Sequence, residues 1–423
     1  MNIQPTALVA ACSTGFGRAA APPWAVWHAA RPYARGACLA MVVVAGAALL
    51  TTPACAAGGD AGRAKLSPWV ELWAASPERQ VEPMLQPKPV LKTAPVTLSD
   101  QTIRQVVWLS AGGSKLRLRL INEYTDAPTA VGAVEVAVST ANGVASSGIV
   151  AGTTRVVTFS GQGAVTLAPN AAALSDPIDL PVKPLTSLAV SIYVSQGTAP
   201  TTFHRVGRQT AYIASGNQTK AATFDVSSPT TQSRYLLSGI DGYEPGGGST
   251  IVTLGDSITD GVHSTMDANR RWPDVLAKRL QQTSLQNLAV ANEGIAGNRL
   301  LKDGHGSSAL SRLDKDVLSR PGVRFVTVLE GINDIGLGAH GLGPRPAPAD
   351  IIGAYQQIIA RAHDQGALVF GCTLTPYQRA GFYDAAGEQT RESVNDFIRT
   401  SGKFDGVIDF DSATRDPTHP TRC

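Results

Sequence analysis

The sequence predicts an α/β domain, with a parallel sheet flanked by helices, preceded by an all-β domain of the sandwich or jelly-roll type. The chain has 423 residues, of which 43% are hydrophobic and 16% charged, so it can bury two cores and is not disordered as a whole. Residues 69–243 show short strand patterns separated by turn residues. From residue 249 onward, strand patterns alternate with helical ones, which is typical of a parallel sheet.

The first domain, residues 69–243, is predicted from period-two alternation. Residues 115–120 place three leucines on one face of a strand and three cations on the other. Turn residues separate the strand patterns, and no helical period appears between them. This spacing favours a sandwich or jelly roll. Further strands are predicted at residues 134–138, 155–159, 164–167 and 188–194.

The second domain, residues 249–423, follows a Pro- and Gly-rich segment at residues 244–248 that we interpret as a linker. Alternating strands and helices predict a parallel sheet covered on both faces, in which ligands bind at the carboxyl ends of the strands. The predicted strands are residues 251–254, 288–291, 325–329, 367–370 and 407–410, and the predicted helices are residues 272–282, 351–362 and 388–400.

Residues 1–56 have the pattern of an export signal with a long lead-in. An uncharged run at residues 37–50 follows Arg31 and Arg35 and precedes the small-residue triplet at 54–56. The run has about 14 residues, whereas a spanning helix needs roughly 20. We therefore expect a cleaved signal, a linker at 57–68, a periplasmic or extracellular location and no stable membrane anchor.

The net charge of +3 disappears with this segment, because Arg18, Arg31 and Arg35 are its only charged residues. The remaining body is neutral and lacks the basic surface that nucleic-acid binding requires, so no nucleic-acid partner is expected. Beyond the signal only Cys372 and Cys423 remain, and the histidines show no H-x-x-x-H spacing. Neither a metal nor another cofactor is expected.

Polar motifs follow three successive predicted strands. Ser257 follows Gly255 and Asp256, Gly297 lies in a Gly-rich segment, and Asn333 follows Gly331. Each motif alone has a structural interpretation, since serine caps helices and glycine and asparagine form turns. Their occurrence in this order at three strand ends is far more specific than any one of them.

These blocks resemble those of the SGNH, or GDSL-type, serine hydrolase (esterase/lipase) family over roughly residues 249–416. The resemblance implies a flavodoxin-like three-layer domain in which Ser257 attacks an ester carbonyl. It also implies an oxyanion hole made by the N–H groups of Ser257 and Gly297 and the side-chain amide of Asn333, and it implies no cofactor. Such donors stabilise the charge that develops in the transition state. The upstream β region, with Trp69-x-x-x-Trp73-Ala74-Ala75-Ser76 and the strand at residues 116–122, resembles the N-terminal portion of a two-domain bacterial branch of the family.

A serine nucleophile also needs a base, which the family supplies as a D-x-x-H motif. Asp416 and His419 fit this motif, with His419 as the base and Asp416 as the residue that orients it. In the two-domain branch, however, a segment like residues 409–422 precedes the acid-base loop. On that second interpretation, the hydrolase domain is C-terminally incomplete. The other histidines are interpreted as surface or capping residues.

The function expected from the sequence is that of an exported serine esterase acting on small acyl esters. Its partner is a small-molecule or polysaccharide ester, and acetyl groups on polysaccharide are a candidate substrate. Two alternatives remain open at this stage. One is a catalytically impaired, truncated hydrolase that retains a glycan-binding β domain. The other is an O-acyltransferase, which would use the same nucleophile and oxyanion hole.

Overall fold

A computed structural model describes residues 67–79, 98–196, 202–337 and 343–423. The predicted signal, residues 1–56, lies outside the described residues, as does the predicted linker at 57–68 except for its last two residues. Those two begin the first strand. None of the described helices is both long and apolar enough to cross a membrane.

The strands of the N-terminal region form a seven-stranded and a three-stranded sheet and add three strands to an eight-stranded sheet. They are β1 (Ser67–Ala74), β2 (Glu78–Arg79), β3 (Gln101–Trp108), β4 (Lys115–Asn122), β5 (Thr129–Val138), β6 (Arg155–Val156), β7 (Val165–Leu167), β8 (Ala171–Leu174), β9 (Ser187–Val194), β10 (Thr202–His204), β11 (Ala211–Ser215), β12 (Thr230–Thr231) and β13 (Arg234–Tyr235).

The C-terminal region alternates strands and helices. The elements are β14 (Leu237–Gly255), α1 (Ser257–Asp260), α2 (Trp272–Leu280), β15 (Leu288–Gly294), α3 (Ala309–Leu313), a π-helical turn (Asp314–Leu318), β16 (Val323–Leu329), α4 (Ile332–Leu337), α5 (Pro348–Asp364), β17 (Leu368–Cys372), α6 (Ala385–Thr400), β18 (Gly406–Ile408) and α7 (Phe410–Thr414).

The all-β region forms around one apolar core. β12, β11, β3, β9, β5 and β6 lie in order in one sheet, and β1, β4 and β8 lie with β14 in another. As the alternation in β4 predicts, Leu116, Leu118 and Leu120 are fully buried. They belong to the same core cluster as Ile103 and Val190 of the first sheet. Burial of apolar side chains between the two sheets holds this region together.

The predicted parallel sheet is confirmed as part of a larger mixed sheet. Its parallel strands lie in the order β18-β17-β16-β14-β15. The helices pack their apolar sides on it. In α5, for example, Ile351, Ile358 and Ala362 are buried at helical spacing. These side chains join the strand residues Val252 and Val326 in a second core cluster.

Residues 244–248, which the sequence predicts to be a linker, instead lie inside the long strand β14. The first half of β14 pairs antiparallel with β1 and β4, and its second half pairs parallel with β15 and β16. A Cβ at Gly248 would lie 2.9 Å from the carbonyl oxygen of Asn287. The glycine is therefore required by a close backbone approach within a strand, and composition alone does not distinguish this from a flexible linker.

Two predicted strands are shorter in the structure. The strand predicted at 407–410 ends at Ile408, because Asp409 caps the short helix α7 and accepts a hydrogen bond from the N–H of Ser412. The strand predicted at 155–159 is a regular strand only at Arg155 and Val156.

Buried charges join the β region to the α/β region. Arg320, which precedes β16, pairs with Glu293 of β15 at 2.7 Å and lies 3.9 Å from Glu71 of β1. Arg119 of β4 approaches the same Glu71 carboxylate at 3.5 Å. All four side chains lie in the interior or at its edge, so separating the two regions would leave buried charges unpaired.

Candidate active site

The three predicted strand exits lie side by side in the sheet. In the register of the parallel strands, Gly255 at the end of β14 lies beside Gly294 of β15 and Leu329 of β16. The N–H of Ile295 continues this pairing by donating to the carbonyl of Gly255 at 3.0 Å. The three motifs found in the sequence therefore meet at one edge of the sheet, as expected for the carboxyl ends of parallel strands.

Ser257 is the first residue of α1, and its neighbour Asp256 caps that helix. The Asp256 carboxylate accepts a hydrogen bond from the N–H of Ile258 at 2.9 Å. Ser257 is half-buried. Neither its hydroxyl nor its N–H donates to another described residue. Asp256, and not Ser257, therefore caps the helix, so the interpretation of Ser257 as a helix cap does not apply.

Gly297 occupies a backbone conformation that requires glycine. Its φ is +81°, and a Cβ there would lie 2.6 Å from Cδ2 of His305. Its N–H, like that of Ser257, donates to no other described residue. The loop therefore turns sharply at Gly297 with the His305 ring packed against it.

Asn333 connects the third strand exit to the second. Its Nδ2 donates to the carbonyl of Asn298, the residue after Gly297, at 2.9 Å. An amide nitrogen carries two hydrogens, so one remains beyond this bond. The adjacent Asp334 carboxylate accepts the N–H groups of Leu300 and Leu301 at 2.7 and 3.0 Å. Helix α4 thus fixes the loop that carries Gly297.

Asp416 and His419 lie in the C-terminal segment, which packs on the loop after β17. Gln378 accepts a hydrogen bond from the Thr421 hydroxyl at 2.8 Å and donates its own N–H to the Thr421 carbonyl. The Asp416 carboxylate accepts the N–H groups of Thr418 and His419. Among the described hydrogen bonds, it stabilises this turn and not the exposed His419 ring. The roles of Asp416 and His419 as orienting residue and base remain predictions.

Two histidines that the sequence suggested to be surface or capping residues have other environments. His204 of β10 is buried, and its Nε2 lies 3.1 Å from the Asp260 carboxylate. His305 is half-buried beside Gly297, and its Nδ1 has no hydrogen-bond partner among the described residues. Burial, with the nearby cations Arg205 and Arg299, lowers the pKa of His305 to about 4. His305 is therefore neutral at pH 7.

Glu78, His204 and Asp260 form the group of described side chains whose spacing could suit a metal ion. Every donor atom in it is already paired. Both Glu78 oxygens accept from Arg205, and the second Asp260 oxygen accepts the N–H of Ala296 at 2.8 Å. Nδ1 of His204 lies 3.0 Å from the carbonyl of Ser76. This is the arrangement of a buried ion-pair cluster, and we assign no metal to it.

Two buried carboxyl groups, Asp256 after β14 and Glu330 after β16, form no ion pair with another described residue. Both Glu330 oxygens and one Asp256 oxygen are buried without a hydrogen-bond partner among the described residues. Burial, together with the Asp334 and Asp260 carboxyls, raises the pKa of Asp256 to about 7. Burial and the nearby Asp256 raise the pKa of Glu330 well above its usual range.

These carboxyls predict a fall in stability with rising pH. The folded protein keeps protons that the unfolded chain has already lost, so the free energy of unfolding falls as the pH rises from 6.5 to 8.5. Replacing Glu330 with glutamine removes one such proton. We expect Glu330→Gln to reduce this slope by about 1 kcal/mol per pH unit, measured by urea unfolding at several pH values.

The matched control is Glu392→Gln, because Glu392 is exposed on α6. The free energy of unfolding of Glu392→Gln should change with pH as steeply as that of the wild type. Equal slopes for Glu330→Gln and the wild type would show that Glu330 is ionised in the folded protein.

The part of the chain that carries the three motifs matches a known family. Residues 253–422 match the model of the GDSL-like Lipase/Acylhydrolase family. The C-terminal region therefore belongs to the SGNH, or GDSL-type, hydrolases, as the motifs predict. An extensive β-strand region precedes the matched residues. No curated protein matches it.

Several solved structures are similar to the chain. The SGNH-hydrolase family esterase AlinE4 is 17% identical with a TM-score of 0.32, covering 40% of this chain and 80% of its own. The acetyl xylan esterase AlAXEase is 19% identical with a TM-score of 0.30, covering 39% and 79%. The M. smegmatis aryl esterase is 18% identical with a TM-score of 0.31, covering 38% and 83%. These low values assign no activity to this chain.

Proposed function

We propose that this protein is an exported serine esterase that hydrolyses small acyl esters, with Ser257 as nucleophile. The observation that supports this most is the junction of the three strand exits. Ser257 follows β14, and the Asn333 amide is bonded to Asn298, next to Gly297. The N–H groups of Ser257 and Gly297 and one amide hydrogen of Asn333 are left to bind a developing oxyanion.

The chemistry follows the two-step course of serine hydrolases. The Ser257 oxygen attacks the ester carbonyl while a base takes its proton, and the carbonyl oxygen becomes negative within reach of the three donors. The tetrahedral intermediate then collapses, and the alcohol leaves with the proton. Water attacks the acyl-serine by the same route and releases the carboxylic acid, which restores the Ser257 hydroxyl.

The surface of the loop after Gly297 favours a short acyl group and a polar alcohol. Leu300 is fully buried, and Leu301 packs against the core. The exposed residues of the loop are Lys302 and Asp303. This loop therefore offers a polar surface near Gly297, and acetyl groups on a polysaccharide are the substrate class we propose.

Turnover of p-nitrophenyl acetate, butyrate and octanoate by the full chain tests the acyl preference. We expect kcat/KM to be highest for acetate and to fall with chain length, and acetate should be released from acetylated xylan. A preference for octanoate would contradict the assignment to small acyl groups.

The identity of the base is tested separately with His419→Ala. If His419 is the base, this variant should lose about 10⁴-fold in kcat. Wild-type turnover by His419→Ala would place the base elsewhere and leave the role of Ser257 intact.

A further inference from the structure

Two consecutive residues of the β region, His204 and Arg205, support the backbone of Ala296, the residue before Gly297: Arg205 directly, and His204 through Asp260. Arg205, directly after β10, donates from Nη2 to the carbonyl of Ala296 at 2.9 Å. The N–H of Ala296 donates to the Asp260 carboxylate at 2.8 Å, and the other oxygen of that carboxylate is held by His204. Ala296 thus has both its backbone polar groups fixed by side chains.

The Arg205 contact determines where the Gly297 N–H points. The Ala296 carbonyl and the Gly297 N–H belong to one planar trans peptide, in which C=O and N–H point in opposite directions. A guanidinium bound to the carbonyl therefore fixes the N–H on the opposite side. A charge-assisted hydrogen bond to the carbonyl also polarises the peptide and strengthens its N–H as a donor.

Arg205 is itself anchored, which makes the contact rigid. Its Nε donates to one oxygen of Glu78 at 2.7 Å, and its backbone N–H donates to the other at 2.8 Å. The Glu78 side chain is 1% exposed and that of Arg205 is 16% exposed. Although burial opposes it, the positive charge of Arg205 and the neighbouring His204 hold the pKa of Glu78 below its usual range. The pair therefore stays ionised at neutral pH.

The His204 side chain is held in place by hydrogen bonds on both sides of its ring. Both ring nitrogens face oxygen acceptors, the carbonyl of Ser76 at 3.0 Å and the Asp260 carboxylate at 3.1 Å. A ring that donates from both nitrogens is an imidazolium. Burial disfavours that charge, but the Asp260 carboxylate outweighs it and raises the pKa of His204. Ser76 ends the Trp73-Ala74-Ala75-Ser76 segment, so this motif supports the same loop.

We propose that Arg205, and His204 acting through Asp260, are positioning residues that aim the Gly297 N–H into the oxyanion hole. The inference rests on the proposed function for its catalytic consequence. The β region thereby contributes directly to the hydrolase site, by holding the one oxyanion donor that lies on a loop outside the helices.

The test is hydrogen exchange of the amides at 294–298, measured in the full chain for wild type, Arg205→Gln and Arg117→Gln. Arg117 is the matched control, since its side chain is 20% exposed and pairs at 2.8 Å with the fully buried Asp241, in the half of β14 that pairs with β1 and β4. We expect exchange about 10-fold faster or more in Arg205→Gln and unchanged in Arg117→Gln. Unchanged exchange in a folded Arg205→Gln would overturn the proposal.

The catalytic consequence is tested by measuring the turnover of p-nitrophenyl acetate. We expect Arg205→Gln to lower kcat about 10- to 100-fold with KM within twofold, because only the transition state uses the misaligned donor. Faster exchange with wild-type kcat would overturn the catalytic role. If Arg205→Gln does not fold, Arg205→Lys and His204→Gln replace it, with faster exchange expected in both.

Failure of the proposed function is recognised separately. In that case Ser257→Ala would hydrolyse the ester as fast as the wild type. The exchange experiment would still decide whether Arg205 holds the loop.

Discussion

Replacing Ser257 with alanine is expected to lower kcat for p-nitrophenyl acetate by about 10⁴-fold or more. The reason is that the Ser257 hydroxyl forms the acyl intermediate in the proposed mechanism, and removal of a serine nucleophile leaves only the weak catalysis by bound water. The fold should not change, since the Ser257 side chain makes no hydrogen bond to another described residue and Asp256 caps α1 without it.

The control for this substitution is Ser264→Ala. Ser264 follows α1, where its N–H donates to the carbonyl of Gly261 at 3.0 Å. It has no place in the proposed mechanism, so its variant should keep wild-type turnover. Comparable activity in Ser257→Ala and Ser264→Ala would reject Ser257 as the nucleophile.

Replacing Asn333 with alanine is expected to lower kcat by about 10²- to 10³-fold with little change in KM, which is the usual cost of losing one oxyanion donor. We expect the amide to bind the ground-state ester no more tightly than water does. Its hydrogen bond to the carbonyl oxygen strengthens when that oxygen becomes negative in the transition state. Steady-state kinetics at saturating and limiting ester concentrations separate the two constants.

Asn333 also bonds to the carbonyl of Asn298, so a structural contribution must be separated from the catalytic one. Asn395→Ala is the matched control, because the Asn395 amide makes the same kind of bond to the carbonyl of Leu374 at 2.9 Å. If loss of an amide-carbonyl bond alone explained the effect, the two variants would lose activity in proportion to their loss of thermal stability. We instead expect a much larger loss of activity for Asn333→Ala.

Much of the fold could be predicted from local patterns. The alternation in residues 115–120 placed Leu116, Leu118 and Leu120 correctly in the core, because the period of a half-buried strand is visible in any window of the sequence. The positions of Ser257, Gly297 and Asn333 at strand ends were predicted for the same reason, since a buried strand followed by a glycine is a local signal.

The features that could not be predicted depend on contacts between distant parts of the chain. His204 lies buried against Asp260, and Arg205 reaches Ala296, although nothing near them in the sequence indicates a partner. The segment at 244–248 has the composition of a linker, and only its pairing with β1 makes it a strand. Composition determines the conformations that a segment can adopt, but tertiary pairing selects one of them.

The most direct test of the central claim is mass spectrometry of the full chain after reaction with diisopropyl fluorophosphate. This reagent transfers its phosphoryl group to an activated serine with loss of fluoride, and its phosphoryl oxygen occupies the position of the oxyanion. We expect one covalent adduct, located on Ser257 and absent from Ser257→Ala. An adduct on any other residue, or no adduct at all in the folded protein, would contradict that claim.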